Sequence, residues 1–152
     1  MRTVKILAVF LSIIACGYVV EAADAKVKKV LPQFLDLRGK SSLSPSLYER
    51  DAYQFFLRNN PDQRSGIRFN VQWKGSTKGK NLVLRVQMRG VRGDTSRVEH
   101  LEVPATKTGW FSTWSALTLD GEPYKTFGDL SAWRTTLWDG ETLLAEKKSF
   151  LW

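Results

Sequence analysis

Among 152 residues there is one cysteine, one histidine and two methionines, and that scarcity excludes a good deal of chemistry. Zinc, thiolate and haem centres need clustered ligands, so the lone His100 cannot chelate a metal as one of a histidine pair. No nucleophile elbow or metal-binding spacing accompanies it. The carboxylate pairs Glu99 with Glu102 and Asp120 with Glu122 serve glycoside hydrolysis only across a cleft of defined width, and nothing in the sequence marks such a cleft. An enzyme is therefore not expected, and no cofactor is implied. The chain also lacks an internal repeat and a run long enough to cross a membrane. The apolar stretch from Ile6 to Val20 has 15 residues, against the roughly 20 that span a bilayer as a helix.

That stretch follows Arg2 and Lys5 and precedes Glu21-Ala22-Ala23-Asp24-Ala25, the layout of a secretory signal peptide over residues 1–25. Small residues place the cut after Ala22 or Ala25. Ile13-Ile14-Ala15-Cys16 also resembles a bacterial lipobox, with Cys16 as a lipid anchor, but Gly17-Tyr18-Val19-Val20 stays apolar where lipoproteins turn polar. The expected destination is secreted or periplasmic, with anchoring through Cys16 as the alternative. Cleavage downstream of Cys16 leaves no cysteine, so the fold must hold by packing without disulfides. Six tryptophans and an aromatic content of 12% are consistent with that.

Lys26-Val27-Lys28-Lys29 reads as a basic leader, and residues 30–152 as one domain. Residues 30–37 fit an edge strand, where Pro32 is tolerated, and residues 38–44 form a polar loop. Ser44-Pro45 is a helix start, with a serine cap and proline at the first helical position. Tyr48, Ala52, Phe55 and Phe56 then fall on one helical face, and Asn59-Asn60-Pro61 ends the element. A helix over residues 45–58 follows, with a strand over residues 53–58 as the competing reading.

From Gly66 the period becomes two. Ile67, Phe69, Val71 and Trp73 alternate with polar residues, as do Leu82, Leu84, Val86 and Met88, which predicts two half-buried strands joined as a hairpin across Gly75 to Asn81. Further strands are expected over residues 97–103, 110–119, 130–138 and 142–151. The last two flank Asp139-Gly140, a dipeptide favoured in tight turns. Residues 120–128 read as a loop with one helical turn. Several short antiparallel strands at this spacing point to a sandwich or a barrel.

The segment Trp133-Arg134-Thr135-Thr136-Leu137-Trp138-Asp139-Gly140-Glu141, with Leu143, Leu144 and Phe150, resembles the closing hairpin of small immunoglobulin-like or fibronectin type III-like modules of secreted bacterial proteins. The resemblance covers about 20 residues and implies a mainly β chain: an antiparallel immunoglobulin-like sandwich of about six or seven strands, with one N-terminal helix added. It also implies a binding or structural role and carries over no functional residue.

Net charge is +8, unevenly spread: Lys26 to Arg97 carries +11 and Val98 to Trp152 carries −3. On the expected hairpin, Arg68, Gln72 and Lys74 share a face with Arg85, Gln87 and Arg89, a cationic sheet surface suited to an acidic polymer or an acidic protein partner. Electrostatics of that kind is not sequence-specific, so no specific nucleic acid is implied. The charge asymmetry also permits head-to-tail self-association. Of the tryptophans, Trp110 and Trp138 at strand ends are the candidates for stacking on a sugar ring, against the commoner role of core residue. The candidate binding surface is thus Arg68, Lys74, Arg85, Arg89, Trp110 and Trp138. Arg92-Gly93-Asp94 resembles an integrin adhesion tripeptide and equally fits ordinary turn chemistry. The C-terminal Phe150-Leu151-Trp152 resembles the end of an outer-membrane barrel, but Glu146, Lys147 and Lys148 in the same strand put charge on both faces. Binding another macromolecule or supporting an envelope assembly is the leading expectation. A carbohydrate or acidic-polymer module using exposed Trp and Arg is the second.

Overall fold

A computed structural model of the chain describes residues 25–76, 81–107 and 111–152. Residues 1–24 of the expected signal peptide, Cys16 among them, and the candidate Trp110 lie outside these. The chain order is β1 (Lys26–Asp36), α1 (Leu47–Asn59), a 3-10 turn (Pro61–Gln63), β2 (Arg64–Lys74), β3 (Leu82–Arg92), β4 (Thr95–Pro104), β5 (Thr113–Asp120), α2 (Gly121–Phe127), β6 (Asp129–Asp139) and β7 (Thr142–Lys148). The fold is mainly β. One antiparallel sheet has the order β1-β2-β5 and the other β4-β3-β6-β7.

Alternation decides what goes inside. Ile67, Phe69, Val71 and Trp73 of β2 and Leu82, Leu84, Val86 and Met88 of β3 are all buried, and they share one core with Leu117, Leu119, Leu137 and Phe127. Each such side chain contributes about 1.5–3 kcal/mol on burial. Trp73 also satisfies its polar atom, its indole N–H donating to Ser115 Oγ at 2.9 Å.

The expected hairpin between the second and third strands does not form. β2 pairs with β1 and β5, β3 pairs with β4 and β6, and the intervening chain passes from one sheet to the other. The reason is physical: a period of two specifies which face is apolar, but not which strand lies alongside. Two strongly alternating strands bury their apolar faces equally well side by side or across a core. Here each occupies an interior position of a different sheet, so their polar faces point in opposite directions.

The expected leader is part of the fold. Lys26 to Lys29 belong to β1, and Val27 is buried opposite Trp73. Pro32 is accommodated because β1 pairs only with β2. The free edge of β1 is closed by polar side chains. Gln54 of α1 accepts from Phe34 N–H at 2.8 Å and donates to Phe34 C=O at 2.9 Å and to Ser41 C=O at 2.7 Å. Further along, Lys147 of β7 donates to Lys28 C=O at 2.8 Å. Covered edges of this kind deny a foreign strand its template.

Docking through Gln54 also sets the rotation of α1. The helix begins at Leu47 with Ser46 as its N-cap, two residues later than expected, and Ser46 makes no side-chain cap bond. Leu57 is its only buried residue. An apolar helix face ordinarily packs inward, yet Tyr48, Ala52, Phe55 and Phe56 all face solvent. At its C-terminal end Arg64 donates to the carbonyls of Leu57 and Arg58 and to Asp129, a cation placed where the helix dipole favours one.

Both hairpins of the four-stranded sheet turn on a glycine of positive φ: Gly93 (58°) before Asp94, and Gly140 (57°) before Glu141. The second turn is therefore Gly140-Glu141, one residue beyond the expected dipeptide. The expected loop with one helical turn is the seven-residue α2, whose buried Phe127 packs against Gly90 of β3. β7 ends at Lys148, short of Leu151, and Ser149 then bonds to Trp133 through both its N–H and its hydroxyl.

Candidate functional site

Antiparallel register decides which side chains share the outer face of the four-stranded sheet. Arg85 stands opposite Glu102 and Thr136, and Gln87 opposite His100 and Arg134. Directly opposed side chains lie about 5 Å apart. Together with Trp138 they line an open groove of about 330 Å³. Arg85 Nε donates to the Glu102 carboxylate at 2.6 Å, and its guanidinium sits 5.1 Å from the Trp138 ring centre. Arg134 Nε donates to Glu146 at 2.8 Å, and the Trp138 indole N–H to Thr136 Oγ1 at 2.8 Å. One step along β3, the Arg89 guanidinium lies 4.2 Å from the ring of Trp152.

The candidate residues thus separate into two groups. Arg85, Arg89 and Trp138 come together on this face. Arg68 lies on β2 in the other sheet, its Nε within 3.4 Å of Thr118 Oγ1, and Lys74 ends the same strand opposite Lys26. The single cationic face expected from the sequence does not exist, because β2 and β3 belong to different sheets. On the four-stranded face Arg85 is matched by Glu102 and Arg134 by Glu146, while Arg89 lies against the Trp152 ring. Exposed pairs of this kind contribute about 0–1 kcal/mol, so a ligand can replace either partner at small cost.

Elsewhere Trp114 stands half exposed opposite Gln72 on the outer face of the three-stranded sheet, while Trp133 lies opposite the buried Met88. His100 is exposed. Arg92 of the adhesion-like tripeptide donates to the Lys125 carbonyl at 2.8 Å, which holds it against α2 and away from the Gly93-Asp94 tip. Among the described residues no three of His, Cys, Asp and Glu gather as a metal site, and no helix is long and apolar enough to cross a membrane.

A second polar cluster joins β1 to α1. The buried Asp36 accepts from Tyr53 Oη at 2.7 Å and from the N–H groups of Arg38 and Lys40 at 2.8 and 2.9 Å. Burial pushes this carboxyl up, but the donors from Lys40, Tyr53 and Arg38 outweigh it and hold the group below the usual carboxylate range. Burial and the bond to Asp36 push the Tyr53 phenol up. All of its partners are internal, so the cluster ties helix to sheet.

Gln87 belongs to the face expected from the sequence, whereas His100, Glu102, Arg134 and Thr136 were not among the expected binding residues. The signal that could have joined them is the placing of opposite charges, Arg85 directly opposite Glu102 and Arg134 diagonal to Glu146. Comparison of the chain with protein-family models, with curated proteins and with solved structures gives no match.

Proposed function

We propose that the chain is an exported, non-catalytic module of immunoglobulin-like architecture that binds a polysaccharide across the outer face of β4-β3-β6-β7. Strand order supports the architecture. Setting strands one, two and five against four, three, six and seven is the constant-type immunoglobulin arrangement with the fourth strand moved to the other sheet. That is the order of fibronectin type III-like modules, the group whose closing hairpin the segment at Trp133 resembles. The charge and apolar layout of residues 1–25 supports export.

The observation that carries the ligand class is the groove lined by Trp138 together with Arg85, Gln87, His100, Glu102 and Arg134. A sugar ring offers an apolar C–H face to an indole and hydroxyls to planar, fork-shaped polar groups, and this groove holds both kinds of partner. The pairs Arg85 with Glu102 and Arg134 with Glu146 put acceptors as well as donors beside the groove, which favours that ligand over a bare polyanion. The test is affinity electrophoresis of the folded chain through neutral and acidic polysaccharides at about 0.15 and about 1 M salt, where the screening length falls from about 8 to about 3 Å. Retention should persist at high salt, weaken about tenfold in Trp138→Ala, and be unchanged in Arg68→Ala on the opposite sheet. Retention that vanishes with salt and ignores Trp138→Ala would reduce the effect to the general attraction of a +8 chain. No retention on any polysaccharide would overturn the reading.

A further inference from the structure

Away from the groove, Leu43, Leu47, Tyr48, Phe55 and Phe56 are exposed together on α1 and the loop before it, Tyr48 at 83% and Phe55 at 65%. At 100° per residue, Tyr48, Ala52 and Phe55 form the centre of the outward face, opposite the buried Leu57. Phe56 and Glu49 lie on one flank beside a groove of about 470 Å³, which Leu43 and Ala52 also line. Asp51 and Arg58, two turns apart and both exposed, share the other flank with Leu47. The five apolar side chains present about 500 Å². The largest apolar patch on a monomer is usually about 300–600 Å². One side of a standard interface buries about 800 Å², about 65% of it apolar in homodimers, so α1 supplies the apolar share that one half of a dimer contact requires.

We propose that this face is the contact between two copies of the chain, with their α1 helices antiparallel about a two-fold axis. A two-fold contact must be self-complementary, and the sequence of α1 is so only in the antiparallel sense. Centred near residue 54, the arrangement sets Asp51 of each copy against Arg58 of the other. It also directs Phe56 of each copy toward the groove beside Ala52 of the other. A parallel two-fold would instead set the Asp51 and Arg58 flank of each copy against the Glu49 and Phe56 flank of the other, which brings Asp51 beside Glu49 and gives Arg58 no acidic partner. The antiparallel sense also places the positive end of each helix dipole beside the negative end of its partner. The dimer is independent of the polysaccharide reading, since the sheet groove is lined by other elements.

Sedimentation velocity of the chain as recovered from the expressing cell, from about 1 to about 100 μM, tests this directly. A reversible dimer is expected. Phe55→Glu should leave a monomer with unchanged circular dichroism, because Phe55 is exposed. Asp51→Arg and Arg58→Asp should each weaken dimerisation about tenfold by creating two like-charge contacts, and the double exchange should restore it. A monomer throughout the concentration range would overturn the proposal and leave the face to a different protein or a lipid surface. A dimer indifferent to Phe55→Glu, or single charge variants that the double exchange does not rescue, would overturn the interface or its antiparallel sense.

Discussion

Gly90 sits at an irregularity of β3, where the register with β6 shifts between Arg89 and Gly90. A Cβ at this position would lie 2.3 Å from the Phe127 carbonyl oxygen and 2.8 Å from two carbons of its ring. Ordinary contact begins at about 3.4 Å, so Gly90→Ala forces β3 and α2 apart by about 1 Å. The obstacle is a main-chain carbonyl, which cannot rotate away as a side chain can. Overpacking of this type costs about 1–3 kcal/mol, and we expect the upper end, about 3 kcal/mol. The contrast is Gly140→Ala. Its φ is 57° with nothing within 4 Å, so it should cost only the backbone strain of about 1 kcal/mol. In urea unfolding followed by tryptophan fluorescence, both variants should keep the wild-type m-value, with Gly90→Ala the weaker by about 2 kcal/mol. In thermal melts that difference corresponds to roughly 8 °C for a domain of this size. A Gly90→Ala no more destabilised than Gly140→Ala would refute the packing of α2 on β3.

Three further outcomes follow from the buried polar groups. Gln54→Leu removes three hydrogen bonds that tie α1 to β1 and the following loop. It should lower stability by about 2 kcal/mol and speed hydrogen exchange at Phe34 N–H; unchanged exchange there would contradict the edge-closing role. Asp36 has its pKa lowered on folding, so its carboxylate stabilises the fold above about pH 4, near the unfolded value. That contribution is lost as pH falls through the lower folded value, so Asp36→Asn should be destabilised in urea melts at pH 7 and approach wild type in melts near pH 2. A deficit that does not shrink in acid would mean that shape, not charge, is the contribution. Thr135 is fully buried with its hydroxyl unpartnered among the described residues, so Thr135→Val should raise stability by about 1 kcal/mol. A loss of stability in calorimetry would show that the hydroxyl has a partner.

Local signals located most of the elements because each rests on a residue's own chemistry. Alternation marked β2 and β3, Gly140 the last hairpin, and the Asn59-Asn60-Pro61 run the end of α1. The candidate site was legible only in pieces. Arg85, Gln87, Arg89 and Trp138 were named from their strands, but His100 and Arg134 join them only once β4 and β6 lie on either side of β3. Arg68 and Lys74 were placed with them because their strand is adjacent in the chain, and adjacency in the chain is not adjacency in a sheet.

The apolar face of α1 was equally visible as Tyr48, Ala52, Phe55 and Phe56, and equally silent about its direction. Side-chain chemistry and spacing by themselves determined a mainly β chain, the inward face of each strong strand, and a helix near residue 50. Only the tertiary structure decided that β2 and β3 part into separate sheets, that the cations divide between two surfaces, and that Gln54 turns the aromatic face of α1 outward. A periodicity is a property of one segment, whereas pairing and orientation depend on free-energy differences between segments distant in the chain: a sheet edge that needs hydrogen-bond partners, a glycine that admits Phe127, and a core that fills equally from either side.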